Sequence, residues 1–327
     1  MTEDDNVFHY DDQQKHTILV VDDSVVIRKV ITHILEDHNY HYIQANDGSE
    51  AIKLLQNETI DFVITDINMP ELGGFALVKK LNELNLGIPY IMVTDADINK
   101  YLKLALDHNV GNILSKPIEK TELQSTVYKL LYPETLFGLK NYLVTTNLKK
   151  IEVDSSDQCE KAVLEIVGTA GEAGLEKDFT PSLRLILSEL AINALYHPHG
   201  LTDQKIERTA VQLKDGDKVT LEYGYNDLKF GVSITDYAGK LTKSIILTTF
   251  KNFIENNEKM IKAIEEGKDP ADFVSEKGRG LQLAREMANE YYFNIKPDEI
   301  TQIVILSWLK KKPVTHASQS IKINELR

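Results

Sequence analysis

Asp66 closes a short apolar and β-branched run, Phe62 to Thr65, and Met69-Pro70-Glu71-Leu72-Gly73-Gly74 then turns the chain away. In an open parallel sheet, ligands collect at the carboxyl ends of strands, so Asp66 stands where chemistry is expected. Other strand-like runs end on polar residues too: Asp22 and Asp23 after the first, Thr94 after the fourth, Lys116 after the fifth. Three carboxylates at one sheet edge repel one another unless a cation joins them, and a site of oxygen ligands suits Mg²⁺. A hydroxyl and an ammonium beside them would hold the remaining oxygens of a phosphoryl group. The set is coherent for phosphorylation of a carboxylate, with Asp66 as the nucleophile.

A second group lies in the other half of the chain. Glu189 and Asn193 are four apart within Leu183–Ala194, an almost wholly apolar helical stretch, so they share one face. Either the pair satisfies itself inside a core, or a carboxylate general base stands beside a metal-ligating amide. Further on, Asp236 ends the strand-like run Lys229–Thr235, and Gly278-Arg279-Gly280 opens a helix. Glycines at a helix start let backbone N–H groups approach phosphates.

These residues need elements to hold them. Strands are expected at Thr17–Val21, Tyr42–Ala45, Phe62–Thr65, Tyr90–Val93 and Asn112–Leu114. Between the first two, Val26, Ile27, Val30, Ile31, Ile34 and Leu35 recur at helical spacing. Alternation of this kind builds a doubly wound parallel α/β sheet over residues 16–132. Pro133 stops the fifth helix, and an apolar connector, 133–152, includes Leu136, Phe137, Leu139, Tyr142 and Leu143. A second domain is expected at 153–310. It has helices near Gln158–Gly171 and Pro181–Tyr196, a helix from the glycines to about Glu290, and closing strands near Tyr291–Ile295 and Thr301–Leu309. Residues 1–15 and 311–327 read as flexible tails.

Composition bounds the rest. A net charge of −13 over 327 residues disfavours direct nucleic-acid binding, and Lys310-Lys311-Lys312 reads as a solvated run. One cysteine, Cys159, fits a reducing cytosol and a core position. No apolar run reaches membrane-spanning length, so no membrane association is expected. His197 and His199 flank Pro198 without a nearby cysteine, which favours no metal there.

The first domain closely resembles the receiver domain of two-component response regulators. The resemblance implies that Asp66 accepts a phosphoryl group from an upstream histidine kinase or phosphotransfer protein. It implies that Asp22 or Asp23, Asp66 and the carbonyl of Asn68 hold Mg²⁺, that Thr94 swings towards the phosphate and that Lys116 pairs with it. Lys116-Pro117 matches the family's usual cis Lys-Pro. Ile113 stands where the family usually has an aromatic switch residue. Such domains often pair, so a homodimer is a further expectation.

The second domain resembles the Bergerat-fold ATPases, an α/β sandwich shared by histidine-kinase catalytic domains and anti-sigma-factor serine kinases, and the anti-sigma type fits best. By that resemblance Glu189 is the general base, and Asn193 binds Mg²⁺. Asp236 receives the adenine amino group, with Gly239 in the turn that follows; Gly278 and Gly280 wrap the triphosphate of ATP, and Thr301 supports the adenine contact. Residues 241–277 would form the lid. Departures from the family pattern are Ala238 and Lys240 at the two glycine places and Gln282 where glycine is common. Self-phosphorylation on histidine is not expected, since no histidine lies between Pro133 and Ser182. The expected output is phosphorylation of a downstream regulatory protein on Ser or Thr, or ATP turnover. The alternative is an ATP-bound switch that sequesters a partner.

Overall fold

The computed structural model describes residues 15–36, 39–207, 209–267, 279–309 and 320–326. Contacts divide the chain into two units at about residue 136, with residues 320–322 grouped with the first and 323–326 with the second.

In the N-terminal unit the order is β1 (Thr17–Val21), α1 (Val25–Ile34), β2 (His41–Ala45), α2 (Gly48–Asn57), β3 (Phe62–Asp66), α3 (Gly74–Glu83), β4 (Tyr90–Thr94), α4 (Leu102–Asp107), β5 (Asn112–Ser115) and α5 (Lys120–Leu131). The sheet runs β2-β1-β3-β4-β5 with every one of these pairs parallel. Strands buried on both faces read as continuous apolar runs, and β3 is fully buried along its length. Two cores result. Ile18, Val20, Ile64, Val93, Leu123 and Val127 meet on one face of the sheet, and Leu19, Val21, Val63, Leu77 and Leu81 on the other. Each expected strand is present, and the last four gain a residue at one end or the other. Gly74 opens α3 where a Cβ would lie 2.3 Å from the Asp66 carbonyl, so only glycine lets this helix start against the end of β3.

The free edge of β5 is covered within this unit. Ile321 and Lys322 pair antiparallel with Ile113 and Asn112, and the Ser115 N–H donates to Ser320 Oγ at 3.2 Å. Lys322 Nζ donates to Glu122 of α5 at 2.9 Å, both side chains being buried.

The C-terminal unit holds β6 (Lys149–Val153), α6 (Ser156–Glu172), α7 (Thr180–Tyr196), α8 (Thr202–Ile206), β7 (Val219–Tyr225), β8 (Lys229–Asp236), α9 (Lys243–Glu265), α10 (Arg279–Met287), β9 (Glu290–Lys296), β10 (Ile300–Trp308) and residues 323–325 of the last strand, β11 (Ile321–Glu325). Strands β6-β7-β8-β10-β9 form an antiparallel sheet in which β10 lies between β8 and β9, extended by parallel pairing of residues 323–325 with β9. Helix α7 buries Leu183, Ile186, Leu187, Leu190 and Ala191 and packs between α6 and α10. The connector docks on this sheet: Leu139, Tyr142 and Leu143 cluster with Tyr292, Val304 and Leu306, and the Asn294 amide donates to the Tyr142 hydroxyl at 2.8 Å.

Three expectations need correction. The tail at 311–327 is not all flexible, since Ile321–Glu325 is a strand. Its apolar alternation is short, and the Glu122 partner that neutralises Lys322 lies 200 residues away, so local reading misses it. The helix after the glycines stops at Met287, and Glu290 already belongs to β9. Strands β6 and β7 were not expected, because charged and polar residues interrupt their apolar pattern.

Candidate functional sites

The first site sits at the carboxyl ends of β1, β3, β4 and β5. Ser24 caps α1, its hydroxyl accepting from the Ile27 N–H, while its own N–H donates to Asp22 Oδ1 at 2.8 Å. Asp22 is thereby held facing β3. Lys116 Nζ donates to Asp22 Oδ2 at 2.8 Å and to Asp66 Oδ1 at 2.6 Å. The second Asp66 oxygen accepts the Asn68 N–H at 2.6 Å. Asp66 is only 4% exposed, Asp22 and Thr94 are buried, and Asp23 is exposed. Burial pushes the Asp66 carboxyl above its ordinary range and the Asp22 charge adds to this, against the downward pull of Lys116 and the Asn68 amide. Burial pulls the Lys116 ammonium down, but its bonds to Asp22 and Asp66 together outweigh that and raise it.

Thr94 Oγ1 accepts the Ala96 N–H at 3.2 Å, and the Thr94 carbonyl accepts the Lys116 N–H at 2.7 Å. The Lys116–Pro117 bond is cis. Ile113 is buried in β5 between Met92 and Ile321. Tyr101 was not expected here. Its hydroxyl exchanges hydrogen bonds with the Asn68 side chain, donating to Oδ1 at 3.0 Å and accepting from Nδ2 at 2.7 Å. Nothing local in the sequence marks this pair, which spans 33 positions. Among the described residues no three His, Cys, Asp or Glu side chains converge to hold a metal. Asp22, Asp66 and a backbone carbonyl nevertheless fit Mg²⁺, which takes one or two carboxylates and keeps several waters.

The response regulator receiver domain family matches residues 18–128. Residues 18–128 are a response regulator receiver domain. Receiver domains serve phosphorelay signalling and interact with upstream kinases or phosphotransfer proteins. This one is 33% identical over 110 residues to the sensor histidine kinase RcsC of Salmonella typhi, covering 34% of this chain and 12% of that protein. It is 32% identical over 114 residues to the alkaline phosphatase synthesis transcriptional regulatory protein PhoP of Bacillus subtilis, covering 35% and 48%. The chain thus spans less than half the length of these curated relatives. A CheY-like receiver domain structure from Methanospirillum hungatei JF-1 aligns at 26% identity over 37% of this chain and 97% of that one, with a TM-score of 0.35. No described helix is long and apolar enough to cross a membrane.

The second site lies outside the receiver domain, on α7 and its neighbours. Glu189 and Asn193 stand one turn apart on α7, and Gly280 at the start of α10 faces both. A Cβ on Gly280 would lie 2.9 Å from the Glu189 Cβ and 3.2 Å from Asn193 Nδ2. Glycine is therefore what lets the start of α10 reach this turn. Gly278 lies outside the described residues. Lys205 of α8 was not expected in the site: its Nζ donates to Asn193 Oδ1 and lies 3.9 Å from Glu189 Oε2.

Asp236, Gly239 and Thr301 meet at the end of β8. Asp236 Oδ1 accepts the Ala238 N–H at 3.1 Å and the Gly239 N–H at 3.0 Å, with Gly239 at φ 58°. Thr301 is buried and pairs directly across from Asp236 in the β10–β8 register. Burial raises the Asp236 carboxyl above its ordinary range, opposed by the two amides. His199, just past α7, also acts electrostatically on Asp236. Lys240 pairs instead with Asp298 at 2.7 Å on the surface. Gln282 turns its amide along its own helix to Glu286 at 2.7 Å. His197 bonds Thr202 at 3.1 Å and His199 faces Asp217 at 3.5 Å, so the two rings go separate ways. Much of the expected lid is α9, which buries Ile246, Leu247, Phe250 and Ala263; residues 268–278 lie outside the described ones. Cys159 is buried on α6, its thiol pushed up to about 12.

Proposed function

We propose that Mg²⁺-dependent phosphorylation of Asp66 controls an ATP-binding, kinase-like output in the C-terminal unit. On the receiver side, Asp66 is the nucleophile, Lys116 neutralises the transferred group, and Thr94 supplies a hydroxyl to its oxygens. Asp22 or Asp23, Asp66 and the Asn68 carbonyl would hold Mg²⁺, which supplies positive charge to the phosphoryl oxygens. The donor would be a histidine kinase or phosphotransfer protein.

The observation that carries the output reading is the meeting of Glu189, Asn193 and Gly280 at one corner of α7, with buried Asp236 and Thr301 at the end of β8. A carboxylate, an amide and a helix start without a Cβ fit a metal-bound triphosphate, and a buried carboxylate backed by two amides fits an exocyclic amino group. Asn193 would hold Mg²⁺, which supplies charge to the triphosphate, and Glu189 would take the proton of an attacking hydroxyl on a partner protein. The test is transfer from labelled ATP to candidate regulatory proteins, before and after loading Asp66 with beryllofluoride. Absence of transfer and of turnover in both states rejects the catalytic reading.

A second reading is an ATP-bound switch that sequesters a partner without chemistry. The turn after Asp236 favours it: the Ala238 and Gly239 amides are spent on Asp236, and Lys240 is tied to Asp298. Glu189→Ala separates the two readings, because the switch keeps its partner-dependent output and the kinase loses it.

A further inference from the structure

Lys205 carries an inference that rests on the nucleotide reading above and sharpens it. The two α7 groups assigned to metal and base, Asn193 and Glu189, are not facing empty solvent. The Lys205 ammonium donates to Asn193 Oδ1, the oxygen a metal would need, and lies 3.9 Å from Glu189 Oε2. Its side chain and that of Glu189 are each about one-quarter exposed, so the pair is partly screened but not free in water. The lysine comes from the five-residue helix α8, which follows the end of α7 by a short turn. A short, partly exposed helix can shift without disturbing the core that holds α7.

We propose that Lys205 is an internal cation that occupies the metal side of the nucleotide site and competes with Mg²⁺ for Asn193 and Glu189. A cation within a few ångströms disfavours a second one at the same oxygen. The same ammonium favours a bare triphosphate, which is strongly anionic. Lys205 thus sets opposite preferences for metal-free and metal-bound nucleotide, and metal loading requires its side chain to leave Asn193. The residue is a positioning residue: it acts through Asn193 and Glu189 and touches no reacting atom.

The experiment is calorimetry of the full chain with a non-hydrolysable ATP analogue, once with Mg²⁺ and once with a chelator, for the native protein, Lys205→Met and Lys205→Arg. Methionine keeps the stem and removes the charge; arginine keeps the charge and reports on folding. With Mg²⁺, Lys205→Met is expected to bind about tenfold more tightly than the native protein. With chelator it is expected to bind several-fold more weakly, while Lys205→Arg follows the native protein in both conditions. A change of the same sign in both conditions, or none in either, overturns the proposal and leaves the nucleotide reading standing. Absence of binding by all three proteins overturns the nucleotide reading and this proposal with it.

Discussion

Each half of this protein sets a lysine against a pair of oxygen-bearing side chains, and the two lysines sit in unlike surroundings. In the receiver domain, Lys116 follows β5 directly and bridges two buried carboxylates, Asp22 and Asp66, on neighbouring strands. A sheet edge fixes all three, so the charge is positioned before any phosphoryl group arrives. In the C-terminal unit, Lys205 rides on a one-turn helix and reaches one amide and one carboxylate that are both partly exposed. Rigid strands suit stabilisation of a developing charge, whereas a small helix suits an occupant that must give way. The comparison teaches that a lysine's role follows from what holds it as much as from what it touches.

The largest effect should come from the rigid site. Asp66→Asn is expected to abolish the acid-labile adduct formed with a small phosphodonor and Mg²⁺, read by intact-protein mass spectrometry. Lys116→Met should slow its formation about 100-fold, as loss of a preorganised charge donor does elsewhere. An adduct that persists in Asp66→Asn would move the acceptor to another residue and dissolve the contrast between the two lysines.

Next comes the buried pair on the β5 edge. Lys322→Met breaks the buried Lys322–Glu122 ion pair and should cost about 3–5 kcal/mol of stability in denaturant unfolding. Pairing it with Glu122→Leu should restore most of that loss, since an apolar pair of similar volume is often neutral. Equal losses in the single and double variants would mean that the strand, not the ion pair, sets the cost.

In the proposed nucleotide site, Asp236→Ala is expected to weaken binding of an ATP analogue by roughly 10- to 100-fold, the loss of one charge-assisted hydrogen bond. Because burial holds this carboxyl above its ordinary 3.8, affinity should start to fall at a higher pH than for an exposed aspartate. Unchanged affinity in Asp236→Ala would place the base elsewhere.

A pH-dependent effect concerns Lys129 of α5, whose Nζ donates to the Thr135 carbonyl. Burial lowers its ammonium to about 7 from 10.5. Between those values the unfolded chain holds a proton that the folded chain lacks, so stability rises with pH across that window. Lys129→Met should flatten this rise in thermal melts taken from pH 7 to about 10. A slope that survives the substitution assigns it to other groups.

Much of the receiver domain was readable because its chemistry is written at strand ends. The runs before Asp22, Asp66, Thr94 and Lys116 are apolar and short, and a parallel sheet buried on both faces demands such runs. The Glu189–Asn193 spacing likewise shows in the sequence, since a helix sets i and i+4 on one face. Tyr101, Lys205 and the strand at 321–325 did not show. Each meets a partner through a loop, a short helix or a distant strand, where no local period announces the contact.

What the sequence determined by itself was the inventory: a five-stranded α/β unit with carboxylates, hydroxyl and lysine at its strand ends, and an apolar helix bearing a carboxylate and an amide. Periodicity and burial act over a few residues, so those features need no distant information. Only the tertiary structure decided which polar groups meet. Lys322 finds Glu122, and Lys205 finds Asn193, because folding brings together groups 200 and 12 residues apart whose attraction has no signature until the chain has closed on itself.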